Sequence, residues 1–299
     1  MLQFYAGIAE SQKCIFLLCL RGGATVLTVS LLGASRVTRS GERIWSDLGP
    51  AGRRLAGFLF TFPDRPHRRE RLIDLFWPEL DAERGRRAMN SAVWRLRKLL
   101  ASTPEYKEGH GLRTVGPETI LERTPWLDVD TWALLEASQT TLSGPEPRLG
   151  PAEIKEILAV LYRYEGPFLD GEDAEWILEE RERLHSFFIQ SAMIIVRHLG
   201  LRGQYHDAIL LARHALRFDP YREELVRHLL TLLALDERRI DAIRYYDHWI
   251  GMIRKELGIS PLPATRAIIE EIRDLHNAED VQHLRARLAS RDDRPRFVV

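Results

Sequence analysis

Apolar and polar positions follow three successive periods along the chain. From Thr25 they alternate over the short runs TVLTVSLLG and SRVTRSGERIW, separated by Ser40-Gly41, which predicts a small antiparallel sheet. The period then becomes helical. Leu55, Phe58, Leu59 and Phe62 recur at i, i+3, i+4 and i+7 after Gly49-Pro50, and Pro63 and Pro66 end the run. A two-helix stretch follows at 69–100, RERLIDLFWPELDAERGRRAMNSAVWRLRKLL. Leu72, Ile73, Leu75 and Phe76 make the stripe of its first helix, which closes at Trp77 because Pro78 disfavours a helical residue before it. Asp81 is placed to cap the second helix, whose seam is Met89, Val93, Leu96 and Leu100. Beyond it, GLRTVGPETILER predicts two brief strands, 112–115 and 119–122, around Gly116-Pro117, with Arg113 directed outward.

From Gln204 the period lengthens again, to a repeat of 34 residues in which Asp207-Ala208-Ile209 returns as Asp241-Ala242-Ile243. Asp219-Pro220 ends a helix between them. That spacing belongs to tetratricopeptide-like helix pairs, each of which leaves an apolar face for its neighbour to cover. A long acidic helix from near Asp173 and the segment 151–164 supply further helices, with a loop at Thr140–Gly150. The fold class is therefore mostly α. Three N-terminal strands, three helices and a hairpin make a winged helix-turn-helix with small β-sheets over 25–123, followed by an all-α helical repeat domain over 126–275. Residues 1–24 read as an extension or a misassigned start, and 276–299 as a basic tail frayed beyond Leu288.

Charge separates the same two parts. The chain has a net charge of +0, yet 25–125 carries 18 Lys and Arg against 12 Asp and Glu, while 126–280 carries 18 against 28. Only the first part suits a polyanion. On its second HTH helix, Arg84, Arg87, Ser91, Trp94, Arg95 and Lys98 fall opposite the seam, with Asn90 and Arg97 on the flanks. Such a face is either an ordinary solvated helix surface or one that enters a phosphate-lined groove. In a winged helix the third helix lies in the major groove and the hairpin reaches backbone, which makes Arg84, Arg87, Asn90, Ser91, Trp94, Arg95, Lys98 and Arg113 the candidate DNA-binding residues. Trp94 has two readings, packing against other parts of the protein and contact with DNA.

HRRERLIDLFWPELDAERGRRAMNSAVWRLRKLL, the hairpin and PWLDVDTW at 125–132 together resemble the OmpR-type winged helix joined to a bacterial transcriptional activator domain, as in SARP-type regulators. ELGISPLPATRAIIEEI at 256–272 is similar to the closing segment of that activator domain, so the resemblance covers about 26–273. It implies a sequence-specific regulator, an activator, that binds double-stranded promoter DNA and offers its repeats to RNA polymerase or to a second copy on adjacent half-sites. The rival reading is a helical-repeat adaptor whose winged helix binds protein. Its support is departure from the family pattern: Ala88 replaces Asn, Asn90-Ser91 replace Arg-Gln, Trp94 replaces a small polar residue, and Gly85 weakens a helical turn by roughly 0.5–1 kcal/mol.

Enzymatic motifs are missing. The sequence has no phosphate-binding GxxxxGKS/T, no GxGxxG after a strand and no HExxH, so no catalytic residues and no cofactor are expected. Cys14 and Cys19 stand alone, the ten histidines do not cluster and DGEDAEWILEERER reads as a solvated helix face, so no metal site is expected either. The apolar run Cys14–Leu20 is too short to span a bilayer, and cysteine usage fits a reducing cytoplasm with no membrane partner.

Overall fold

A chain whose hydrophobic period changes from two to 3.6 within its first hundred residues must pack a sheet against helices, and the computed structural model does so. It describes residues 27–39, 41–43, 48–101, 103, 106, 111–144 and 149–289. The extension expected at 1–24 and the tail past Ala289 lie outside the described residues. Two compact units form: one runs to Ala133 and takes in Arg163–Arg181, and the other consists of Leu134–Tyr162 and the chain from Glu182.

In the first unit β1 (Leu27–Ser30) pairs antiparallel with β2 (Arg36–Arg39), which pairs with β3 (Glu42–Arg43). The register sets Val29 opposite Val37, and with Leu27 these side chains are fully buried. Helix α1 (Gly49–Thr61) begins on Pro50 and buries Leu55, Leu59 and Phe60. It ends at Phe62, where the proline-rich turn begins. Strand β4 (His67–Arg68) leads directly into α2 (Arg69–Phe76). Trp77 caps α2 through an N–H donated to the Ile73 carbonyl at 2.8 Å, as Pro78 requires. Then α3 (Ala82–Leu100) crosses it, and β5 (Leu112–Val115) and β6 (Glu118–Leu121) form a hairpin. The hairpin turns at Gly116, φ 56°.

Two strands depart from the sequence reading. Strand β4 joins the hairpin as its third strand, pairing His67 with Thr119 and Arg68 with Glu118. Beyond the hairpin β7 (Leu127–Val129) completes the first sheet, lying parallel to β1 with Leu127 opposite Leu27 and Val129 opposite Val29. The unit therefore continues past residue 123. Asp130, at the first turn of α4 (Asp130–Thr141), accepts the Leu31 and Leu32 N–H groups at 2.8 and 2.9 Å, and Trp132 donates its indole N–H to the Phe60 carbonyl at 2.5 Å.

The segment 163–181 belongs to this unit for the same reason, because it finishes its core. Helix α5 (Pro151–Leu161) precedes it and α6 (Glu175–Leu201) begins within it. Phe168 is fully buried and bridges to Leu32, and Leu169 donates its N–H to the Leu31 carbonyl at 2.9 Å. Gly33 and Gly166 meet so closely that a Cβ on Gly166 would lie 3.1 Å from the Gly33 Cα. Arg181 fastens the segment by donating to the carbonyls of Phe168, Leu169 and Glu172, and Arg36 pairs with Glu165 at 2.7 Å.

The second unit is helical. After α6 come α7 (Tyr205–Leu216), α8 (Glu223–Leu235), α9 (Arg239–Leu257), α10 (Pro263–Arg273) and α11 (Ala278–Ala289). Ala208 and Ala242, the small residues repeated 34 positions apart, occupy the first turns of α7 and α9 and are both fully buried. Helix α8 is the centre of the stack, with Leu225, Val226, Leu229, Leu230, Leu232 and Leu233 inaccessible to water. The stack reaches further than 275. Leu284 and Leu288 of α11 are buried, Leu288 lies against Gly200, and Arg197 holds the end of α11 through the Leu288 and Ala289 carbonyls. Residues 278–289 are thus a packed helix, because two leucines four apart find a face to cover, rather than part of a tail. Among the described residues the fold is mostly α, with eleven helices and its short strands confined to the first unit.

Candidate nucleic-acid interface

The geometry of the candidate surface follows from how α3 is anchored. Asp81 stands in extended conformation ahead of it and accepts the N–H groups of Glu83 at 3.1 Å and Arg84 at 2.8 Å, which satisfies two free donors of the first turn. Gly85 faces α2. A Cβ there would come within 2.5 Å of the Ile73 Cγ2, so the residue that weakens the helix in isolation lets the two helices of the motif cross. One of the departures that favoured the adaptor reading therefore has a packing cause. Met89, Val93, Leu96 and Leu100 are all buried.

On the other side, Arg84, Arg87, Ser91, Trp94, Arg95 and Lys98 are exposed and succeed one another at steps of one, three or four residues, which keeps them on one stripe. Their engagement differs along it. Arg84 pairs with Asp81 and Arg87 with Glu83, each at 3.4 Å and with both partners largely in solvent. Such pairs contribute little and can yield to a phosphate. Asn90 accepts a hydrogen bond from Arg69, whose guanidinium is held below its ordinary pKa by burial and by the neighbouring charge of Arg97. Trp94 is 61% exposed, and the Lys98 ammonium lies 5.5 Å above its ring. The ring is at the surface of the protein. Arg113 is exposed on β5 and paired with Glu122 at 2.7 Å, so a phosphate contact from it requires exchange of partner.

Arg97 has a role that periodicity did not reveal. It turns from the helix flank to the hairpin, with Nε donating to the Leu112 carbonyl at 3.3 Å and Nη2 to the Thr114 hydroxyl at 2.7 Å. This cation positions the wing against α3. Arg69 does comparable work at the far flank by fixing Asn90. The only sequence signal for Arg97 was its place on the flank of an otherwise outward stripe, and for Arg69 there was none.

Comparison with known proteins adds the second half of the assignment. Residues 132–273 match the family model of the bacterial transcriptional activator domain. Preceded by a winged helix, the matched stretch resembles the second half of the domain pairing of SARP-type regulators. The transcriptional regulatory protein EmbR of Mycobacterium bovis and that of Mycobacterium tuberculosis are each 26% identical to this chain over 273 residues, covering 84% of it. The chain spans 65% of the length of these relatives. A solved structure of Mycobacterium tuberculosis EmbR in complex with a low affinity phosphopeptide has the same fold, with a TM-score of 0.62, 21% identity and coverage of 89% of this chain and 69% of that one.

Proposed function

We propose that this protein is a sequence-specific DNA-binding transcriptional activator. Its α3 enters the major groove, the β5–β6 wing approaches flanking backbone, and the helical repeats contact RNA polymerase or a second copy of the protein. The observation that carries the reading is the stripe Ser91, Trp94, Arg95 and Lys98, exposed on a helix whose opposite seam is buried. The match to a transcriptional activator domain supports the regulatory role. Arg95 is the candidate for a bidentate contact with a guanine edge, and Lys98 and the first-turn arginines for phosphate contacts that set register. Selection of bound sites from random duplexes, followed by titration of the enriched site across salt concentrations, tests binding and specificity together. An enriched motif with steeply salt-dependent affinity is the expected result. No affinity at low salt, together with a stable protein complex formed through the first unit, would make the winged helix a protein-binding module.

A further inference from the structure

The first unit contains a cavity of about 580 Å³, bounded by α1, β4, α2 and the first turns of α6. That volume is in the range of small-molecule sites. Its floor is aromatic: Phe58 and Phe62 stand 4.8 Å apart between ring centroids, and Trp176 lies 5.1 Å from Phe58 and 6.4 Å from Phe62. Phe76 and Phe168 back Trp176 from below at 6.3 and 6.1 Å, so the floor is set before anything binds. The buried indole N–H of Trp176 has no acceptor among the described residues.

Charge selects among occupants. Arg65, Arg68 and Arg71 line the cavity at intervals of three residues, all exposed, and α2 begins at Arg69, so the positive end of its peptide dipoles adds to the same wall. Guanidinium groups receive a carboxylate in two parallel hydrogen bonds. Of the acids on the rim, Glu180 has an interaction of its own, while Asp74 and Glu179 disfavour a ligand carrying a second negative charge. We propose that this cavity binds a small, flat aromatic monocarboxylate, with its ring on Phe58, Phe62 and Trp176 and its carboxylate on the arginine wall. Such a ligand touches α1 and α2 of the winged helix and also Trp176, which lies inside the activator-domain match. Occupancy therefore fastens the segment 163–181 to the helix-turn-helix.

Indole-3-acetate and tryptamine, which share an indole body and carry opposite charges, make a suitable pair of probes for the full chain. Calorimetric titration should give one saturable site for indole-3-acetate and binding at least tenfold weaker for tryptamine, with only the former raising the melting temperature. The double variant Arg68→Ala/Arg71→Ala should bind indole-3-acetate at least fivefold more weakly, whereas Trp94→Ala on α3 should bind it normally. Leu75, 41% exposed at the rim, provides a second route. Leu75→Glu places a carboxylate at the mouth without disturbing the core and should reduce affinity likewise. Equal binding of the two probes, no saturable binding, or undiminished affinity in these variants would each overturn the proposal. DNA affinity enters none of these readouts, so the ligand site can fail while DNA binding holds, and the reverse.

Discussion

Gly85 shows how one side chain, or its absence, can decide a crossing between helices. By helix propensity alone Gly85→Ala should stabilise α3 by roughly 0.5–1 kcal/mol. The added Cβ would lie 2.5 Å from a methyl of Ile73, a branched residue that is itself buried, so the clash should win. We expect a net loss of about 1–3 kcal/mol in denaturant unfolding. A more stable variant would mean that α2 can move aside at little cost. Along the exposed stripe, residue type assigns duties. Arg95→Ala should cost about 1–3 kcal/mol of DNA affinity and relax specificity at one base pair, while Lys98→Ala should weaken all sequences alike and lower the salt slope by about one unit. Titration of matched and single-mismatch duplexes at several salt concentrations separates the two. Asp130 contributes a pH dependence of its own. Burial pushes its carboxyl up to about 6 despite the hydrogen bonds from Leu32 and Leu31 and the nearby charge of Arg163. A raised acid pKa means that the folded state holds the proton more tightly than the unfolded chain. Its contribution is therefore greatest below about pH 4, declines by about 3 kcal/mol as pH rises to about 6, and is level above. The difference in unfolding free energy between the native protein and Asp130→Asn, measured from pH 4 to 8, should trace that decline. A flat difference would mean that Asp130 titrates as it does in the unfolded chain.

The helices of the winged helix were legible in the sequence because their apolar period and stop signals are local, whereas α11 reads as part of a tail. The seam of α3, the proline stop after Trp77 and the cap at Asp81 all lie where period and capping chemistry put them. Strands β4 and β7 were not legible, since two or three residues cannot display an alternation and their pairing is long-range. The wing illustrates the same limit. Its two strands could be read locally, but its fastening to α3 depends on Arg97 reaching Leu112 and Thr114 across 15 and 17 residues of sequence. Arg97→Ala should leave the hairpin formed but loosely held, with a stability loss of about 1–2 kcal/mol. Amide exchange at Thr114 and Val115 should quicken. Unchanged exchange there would show that strand pairing with β4 holds the wing unaided.

The boundary between the two compact units is the part that patterning placed least well. Charge asymmetry and the 34-residue repeat divide the chain near 123–126, whereas the first unit draws on β7, Asp130, Trp132 and the segment 163–181. A fragment ending near Arg123 would expose one edge of β1, strand the Leu31 and Leu32 N–H groups and uncover the surface that Phe168 and Trp176 fill. It should show no cooperative thermal transition, and its DNA affinity should be lost with its fold. A sharp melting curve for that fragment would prove the later residues dispensable. The 163–181 segment also bears on how such proteins can be recombined. A gene fusion that joins this winged helix to another activator domain at the start of the family match, Trp132, would import a foreign counterpart of Phe168, Leu169 and Trp176 into the core beneath α1. Functional chimaeras should therefore be confined to exchanges that carry 163–181 along with the winged helix, and the two halves should co-vary at those positions wherever they have been shuffled.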